Sequence, residues 1–247
     1  MSKEGFQPIS NVGPDTTAGA IKFYGRLLVD FQTLSALPHL RSVLPHFRGR
    51  VLDVGCGQSP YRFLLDKAAT QYQGIDIPEA MRFKYNNPDI VEFNGQDIPF
   101  ADNTFDGLIC TEVLEHVQHY QYLVDEMYRV LKPGATGIIT VPWSARYHYI
   151  PWDYFRYTPS SLQTMFSKFS SAEIKHRGTD MTVVGNKVIV MFVRNLLPAE
   201  KWRLILAPIW LLFSPLAAFT TLMGHLSLLF GWGTDEDPLG YTIIVRK

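Results

Sequence analysis

Apolar residues change their spacing several times along the chain, and each change predicts an element. From about residue 20 to residue 44 they recur at helical spacing, at Ile21, Tyr24, Leu28, Phe31 and Leu34. That predicts one or two helices, punctuated by Pro38 and Pro45. The pattern then shortens to brief apolar runs. Residues 50–54 read as a buried strand ended by Gly55-Cys56-Gly57, a tight glycine turn, with Pro60 suited to the first position of a following helix. Residues 72–76, 90–93 and 105–110 repeat the short-run pattern. Helical spacing returns over 118–131, with Leu123, Val124, Met127, Val130 and Leu131 on one face and Lys132-Pro133-Gly134 as the stop. Residues 137–141 predict a fifth strand. Thr158 caps and Pro159 opens a further helix whose buried side carries Leu162, Met165, Phe166 and Phe169. A sixth strand near 171–177 and a last one at 241–245 complete the series.

Strands alternating with helices imply an α/β chain with a parallel, doubly wound sheet, which binds ligands at the carboxyl ends of its strands. Three acids fall at or just past such ends: Asp53 ahead of Gly55 and Gly57, Asp76, and Asp97 in the run GQDIP. The two glycines let a ligand approach the backbone. Asp76, about 20 residues further on, is placed for a ribose diol. Asp97 could accept a hydrogen bond from an exocyclic amine. Glycines with a ribose acid would also suit a nicotinamide cofactor, but three features oppose that choice. Pro60 replaces the third glycine of GxGxxG, Asp53 would repel a pyrophosphate yet suits an ammonium group, and Asp97 supplies an adenine partner on a later loop.

The stretches VLDVGCGQSP (51–60), YQGIDI (72–77), GQDIPFADNTFDGLICTEVLEHV (95–117) and RVLKPGATGIITVP (129–142) resemble the class I S-adenosylmethionine-dependent methyltransferases, specifically the type 11 methyltransferase domain. PWDYFRYTPSSL (151–162) is similar to the P-x-DYFRYT segment of a subgroup associated with cell-surface glycan and lipid pathways. Ala135 departs from the second glycine usual after LKPG, which should alter a turn and not the chemistry. The resemblance implies a Rossmann-like seven-stranded sheet in the order 3-2-1-4-5-7-6. Its last strand is antiparallel and helices cover both faces; where that fold needs only a hairpin between strands six and seven, this chain carries a long hydrophobic stretch, read as a helical insertion.

It also implies roles at matching positions. Asp53, Gly55, Cys56 and Gly57 would line the amino-acid end of S-adenosylmethionine, Asp76 would hold the ribose, and Ile77 would flank the adenine. Asp97 and Ile98 would meet the adenine edge, and Thr111 and Glu112 would close the methionine side. His116, past the fourth strand, is a candidate general base, or a residue that caps or orients the next helix. On the loop after the fifth strand, His148, Asp153, Tyr154, Arg156 and Tyr157 are candidate substrate contacts. The competing assignment is that the tyrosines pack and Arg156 pairs with an acid. No metal is expected. A base is needed only for a weakly acidic nucleophile, and an oxygen acceptor is the first expectation. A cofactor-binding protein without turnover is the alternative from another class.

Charge narrows the partners. Lys and Arg number 23 and Asp and Glu 23, with no clustered basic excess, which argues against nucleic acid. Two cysteines, Cys56 and Cys110, make no disulfide framework and suit a reducing, cytoplasmic compartment as free thiols. The start, MSKEGFQPIS, shows no signal-peptide pattern.

Hydrophobic residues are 47% of the chain but unevenly spread. Residues 204–232 hold no Lys, Arg, Asp or Glu, and His225 is their one titratable group. A straight helix of that length would run about 43 Å, longer than a hydrocarbon core of roughly 30 Å, and Pro208 and Pro215 would interrupt it. In the implied fold both ends of this segment leave the sheet at the cofactor edge, so a single crossing of a bilayer is excluded. Lys201, Trp202 and Arg203 at one end and Trp232 at the other suit a membrane interface, and residues 188–193 add apolar surface. The expectation is a peripheral contact through 200–232 with the inner face of the cytoplasmic membrane, or with an amphipathic or glycan-type substrate. The alternative is a lid or homodimer contact. Four segments follow: an N-terminal helical extension (1–45), a methyltransferase core (46–178), the insertion (179–239) and the final core strand (240–247).

Overall fold

The computed structural model describes residues 12–78, 90–198 and 200–247. Helix α1 (Thr17–Arg26) and helix α2 (Phe31–Val43) precede strand β1 (Gly49–Val54). Strands β2 (Thr70–Asp76), β3 (Ile90–Glu92) and β4 (Phe105–Thr111) follow, then α3 (Tyr120–Val130), β5 (Leu131–Pro142), α4 (Pro159–Met165) and β6 (Ser171–Arg177). Helices α5 (Asp180–Leu196), α6 (Ala207–Leu212) and α7 (Ser214–Phe230) lead to β7 (Gly240–Arg246).

The strands form one sheet in the order β3-β2-β1-β4-β5-β7-β6. All pairings from β3 to β5 are parallel, and β7 runs antiparallel to both β5 and β6. This is the expected topology. Alternation along each strand divides the core between two faces. Leu52, Val54 and Leu108 pack with Leu123, Met127 and Val130 of α3 and with Leu162 and Met165 of α4. Val51, Ile109 and Ile138 pack on the other face with Ala36 and Leu40 of α2 and with Leu44 just past its end.

Two local expectations fail. Pro38 lies inside α2, and the break between the first two helices falls before Asp30, whose carboxylate accepts the Thr33 amide at 3.1 Å. A proline inside a helix costs about 3 kcal/mol, and burial of Phe31, Ala36, Leu37 and Leu40 along this helix offsets it. Nor does Pro60 open an α-helix. Residues 55–69 form turns and a three-residue 3-10 segment, Arg62–Leu64. Helix α2 already covers this face of β1, so Tyr61 and Leu65 tuck into its cluster from an irregular chain.

The insertion starts and finishes at one sheet edge. Gly240 pairs with both Pro142 of β5 and Arg177 of β6, and the Leu239 amide donates to the Arg177 carbonyl at 2.8 Å. Helix α5 is capped by Thr179, and α7 ends at Gly231. The two helices approach closely where both are bare. A Cβ on Gly185 would lie 2.8 Å from the Thr220 carbonyl oxygen, and one on Gly224 would lie 2.8 Å from Phe31 Cζ. His225 Nε2 donates to the Leu28 carbonyl at 3.0 Å, so α7 is also tied to the N-terminal helices. Among the described residues no single helix is long and apolar enough to cross a membrane. A bent pair, Asp180–Leu196 with Lys201–Leu212, passes by length and composition.

Candidate active site

The end of β1 passes into Gly55 (φ 66°) and Gly57 (φ 50°). Both occupy the left-handed region, where a side chain is strained, and a Cβ on Gly55 would sit 2.5 Å from Val113 Cγ2. The bare turn brings the Gly57 amide to the end of β2, where it donates to Asp76 Oδ2 at 2.8 Å, and the Ile77 amide donates to Oδ1 at 2.8 Å. Burial raises the Asp76 carboxyl above its ordinary value, and the two amides oppose that rise. Each oxygen keeps a further acceptor site, which suits a diol. The cradle and Asp76 therefore fit the ribose end of S-adenosylmethionine.

Asp53 does not line this cradle with its carboxylate. It is 4% exposed, and its Oδ2 accepts from Tyr72 Oη at 2.7 Å. Ser59 Oγ lies 2.6 Å from the same phenolic oxygen. Burial lifts the Asp53 carboxyl to about 7, opposed by the Tyr72 bond and aided by the Asp76 charge. Asp53 braces β1 against β2 beneath the turn. The Cys56 thiol is likewise buried, filling the space over Gly74, whose Cβ would lie 2.7 Å from Sγ. Any Cys56 contact with a ligand falls to its backbone. Cys110 pairs with Val54 in register, and both cysteines are free.

On the next loop the exposed Asp97 carboxylate accepts from Tyr122 Oη at 2.7 Å and Asn94 Nδ2 at 2.6 Å. Those bonds hold its carboxyl below the ordinary value. Ile98 is 2% exposed and belongs to the core, with its amide on Glu126 Oε2 at 3.0 Å, so its side chain does not meet an adenine edge. Ile77 is exposed beside Gly95. Thr111 ends β4. Glu112 follows with φ 54°, and its Oε1 takes Arg177 Nη2 at 2.6 Å. Sequence inspection missed Arg177 and Tyr122. The only signal available for Arg177 was a charged residue closing a strand.

A second group lies past β4 and β5. His116 Nδ1 sits 2.6 Å from the Trp152 carbonyl, which can only accept, so Nδ1 carries the proton and Nε2 the lone pair. Burial lowers the His116 pKa to about 4. The His148 ring stands edge-on to His116, centroids 4.9 Å apart. Its Nδ1 is 2.9 Å from the Arg146 carbonyl and 3.0 Å from Asp153 Oδ2.

Asp153 also receives two bonds from Arg156, at 2.6 and 2.8 Å. Tyr157 is 3% exposed, with Oη on the Leu114 carbonyl at 2.9 Å. These three residues build the loop, their polar groups taken up by partners within the protein. Tyr154 is exposed, and its amide holds the Glu115 carbonyl. Glu115, which the sequence did not single out, is fully buried, and burial first and the Glu112 charge second push its carboxyl well up.

Residues 52–139 match the methyltransferase domain family. A probable S-adenosylmethionine-dependent methyltransferase of Mycolicibacterium smegmatis is 31% identical over 96 residues, 37% of this chain and 37% of that protein. A demethylmenaquinone methyltransferase of a Geobacillus species is 28% identical over 134 residues, 48% of this chain and 57% of that one. An uncharacterised protein of Methanocaldococcus jannaschii is 34% identical over 122 residues, 48% and 53% of the two chains. The chain thus spans about half the length, or less, of the curated relatives it matches. A crystal structure of a methyltransferase dependent on S-adenosylmethionine from Archaeoglobus fulgidus superposes with a TM-score of 0.53 at 18% identity, over 92% of this chain and 99% of that one. The superposed structure shares the fold of this chain, and the matched segment spans it from β1 into β5.

Proposed function

We propose that the protein transfers a methyl group from S-adenosylmethionine to an oxygen of a lipid-linked, glycan-type or other amphipathic acceptor, met at the inner surface of the cytoplasmic membrane. The observation that carries the membrane part is the exposed apolar face beside the carboxyl edge of the sheet. Ile205, Leu212 and Leu229 are 77%, 79% and 72% exposed, and Trp202 and Trp232 flank them. Exposed apolar side chains gathered in one insertion mark an interaction surface, and their aromatic flanks suit an interface with lipid. The resemblance of residues 151–162 to a segment linked with glycan and lipid pathways supports the same acceptor class. So does the Geobacillus relative, named for demethylmenaquinone.

When bound, the cofactor supplies an electrophilic methyl group on a sulfonium. The chain's task is alignment and exclusion of water, worth roughly 7–11 kcal/mol of barrier. Asp76 would orient the ribose. His116 would accept a hydrogen bond from the acceptor hydroxyl through Nε2. With a pKa of about 4 it is a weak base, so it orients the nucleophile more than it removes the proton.

Co-sedimentation with vesicles of mixed zwitterionic and anionic lipid tests the surface. The full chain is expected to pellet, and the variant I205E/L212E/L229E, altered only at exposed positions, is expected to stay in solution. A full chain that stays in solution and runs as a homodimer would reassign the face to a subunit contact. Incubating enzyme and heavy-methyl S-adenosylmethionine with cell extract, then seeking a labelled amphipathic product by mass spectrometry, tests the transfer itself.

A further inference from the structure

Glu115 is a buried side chain that the candidate site leaves unexplained. It is 0% exposed, and neither carboxylate oxygen has a hydrogen-bond partner among the described residues. A buried carboxylate left without partners is costly, and such groups are commonly paired or bound to a metal. The nearest basic atom is His116 Nε2, 3.6 Å from Glu115 Oε1. Glu115, His116 and His148 each offer one ligand atom within 4.8 Å of the others.

The two imidazoles are held as metal ligands are held. Each ties Nδ1 to an acceptor: His116 to the Trp152 carbonyl at 2.6 Å, and His148 to the Arg146 carbonyl at 2.9 Å and Asp153 Oδ2 at 3.0 Å. That fixes the tautomer with the lone pair on Nε2 and makes each ring a better donor to a cation. Asp153 is in turn clamped by Arg156 at 2.6 and 2.8 Å. Both shells a metal site requires are therefore present.

We propose that Glu115, His116 and His148 bind one divalent transition-metal ion of the zinc class. Two imidazoles and one carboxylate form the donor set of open zinc sites, and nitrogen donors disfavour magnesium and calcium. With metal–ligand bonds of about 2.1 Å, tetrahedral ligand atoms stand roughly 3.4 Å apart. The Glu115–His116 separation of 3.6 Å is already close to that, and a small inward turn of His148 completes the set. The fourth position is left for water or an acceptor oxygen, which with the ion bound would meet the metal in place of the His116 Nε2 lone pair. The site stands on its own geometry and does not depend on the methyl-transfer assignment.

Equilibrium dialysis of the untagged, metal-stripped full chain against Zn²⁺, with no cofactor or acceptor present, tests it. One zinc per chain is expected, with the four-coordinate visible bands when Co²⁺ replaces zinc. His116→Ala, His148→Ala and His148→Gln should each weaken binding roughly a hundredfold or more, the last keeping a side chain of similar size. Zinc should raise the unfolding temperature of the wild type and of none of these variants. Absence of stoichiometric zinc in the wild type, or zinc uptake unchanged in H116A/H148A, would overturn the proposal.

Discussion

Arg177 Nη2 lies 2.6 Å from Glu112 Oε1, tying the end of β6 to the end of β4 across β5 and β7. The guanidinium passes over Gly240, where a Cβ would lie 2.4 Å from Nη2, and it also donates to the carbonyls of Val141 at 2.9 Å and Gln32 at 3.3 Å. One buried cation thus joins four segments beside the candidate site.

Removing either partner should therefore be costly. Loss of one member of a buried pair costs about 3–5 kcal/mol. Arg177→Met is expected in that range. Glu112→Gln should fall at its lower end, because Glu112 is 34% exposed at the side chain. Urea unfolding of both single variants and the double variant would measure the coupling, and additive effects would refute it.

Asp76→Ala should damage cofactor binding and leave stability nearly intact. A charged acceptor to each ribose hydroxyl contributes about 1.5–3 kcal/mol, so the affinity for S-adenosylmethionine should fall roughly a hundredfold or more by calorimetry. Unfolding free energy should drop by about 1 kcal/mol, since the Gly57 and Ile77 amides lose a partner.

Asp53 should leave a signature in the pH dependence of stability. Its folded pKa is raised from 3.8 to about 7. Between those values the unfolded chain has lost a proton that the folded one keeps. Stability from this group is thus full below about pH 4 and is lost as pH rises through about 7. At about 1.4 kcal/mol per tenfold in proton affinity, the loss is at most about 4 kcal/mol. Asp53→Asn has no such proton, so relative to wild type it should gain stability from about pH 4 to about pH 7. Parallel curves for the two proteins would contradict this.

Gly185 should tolerate no larger residue. A Cβ there would meet the Thr220 backbone oxygen at 2.8 Å, and a backbone atom cannot rotate away. Gly185→Leu is expected to cost about 1–3 kcal/mol through overpacking. It should also loosen α7 from α5, read as faster proteolysis within residues 200–213.

Much of this protein was legible as a string. Short apolar runs located all seven strands and helical spacing located the helices ahead of the insertion, because burial follows the local geometry of each element. The glycine turn and the acids at 53, 76 and 97 were legible for the same reason: they mark strand ends. What the string could not say is where each of those side chains points. Asp53 turns under the sheet to Tyr72, Ile98 joins the core, and Asp153 and Arg156 satisfy each other. Helix α2, not a helix after Pro60, covers the face of β1. Nor could it bring Arg177 to Glu112, or Glu115 and His116 to His148. Backbone conformation and burial period are set by neighbours in the chain. The choice of partner for a buried charge is set by which strand ends the sheet brings side by side, and only tertiary structure decides that.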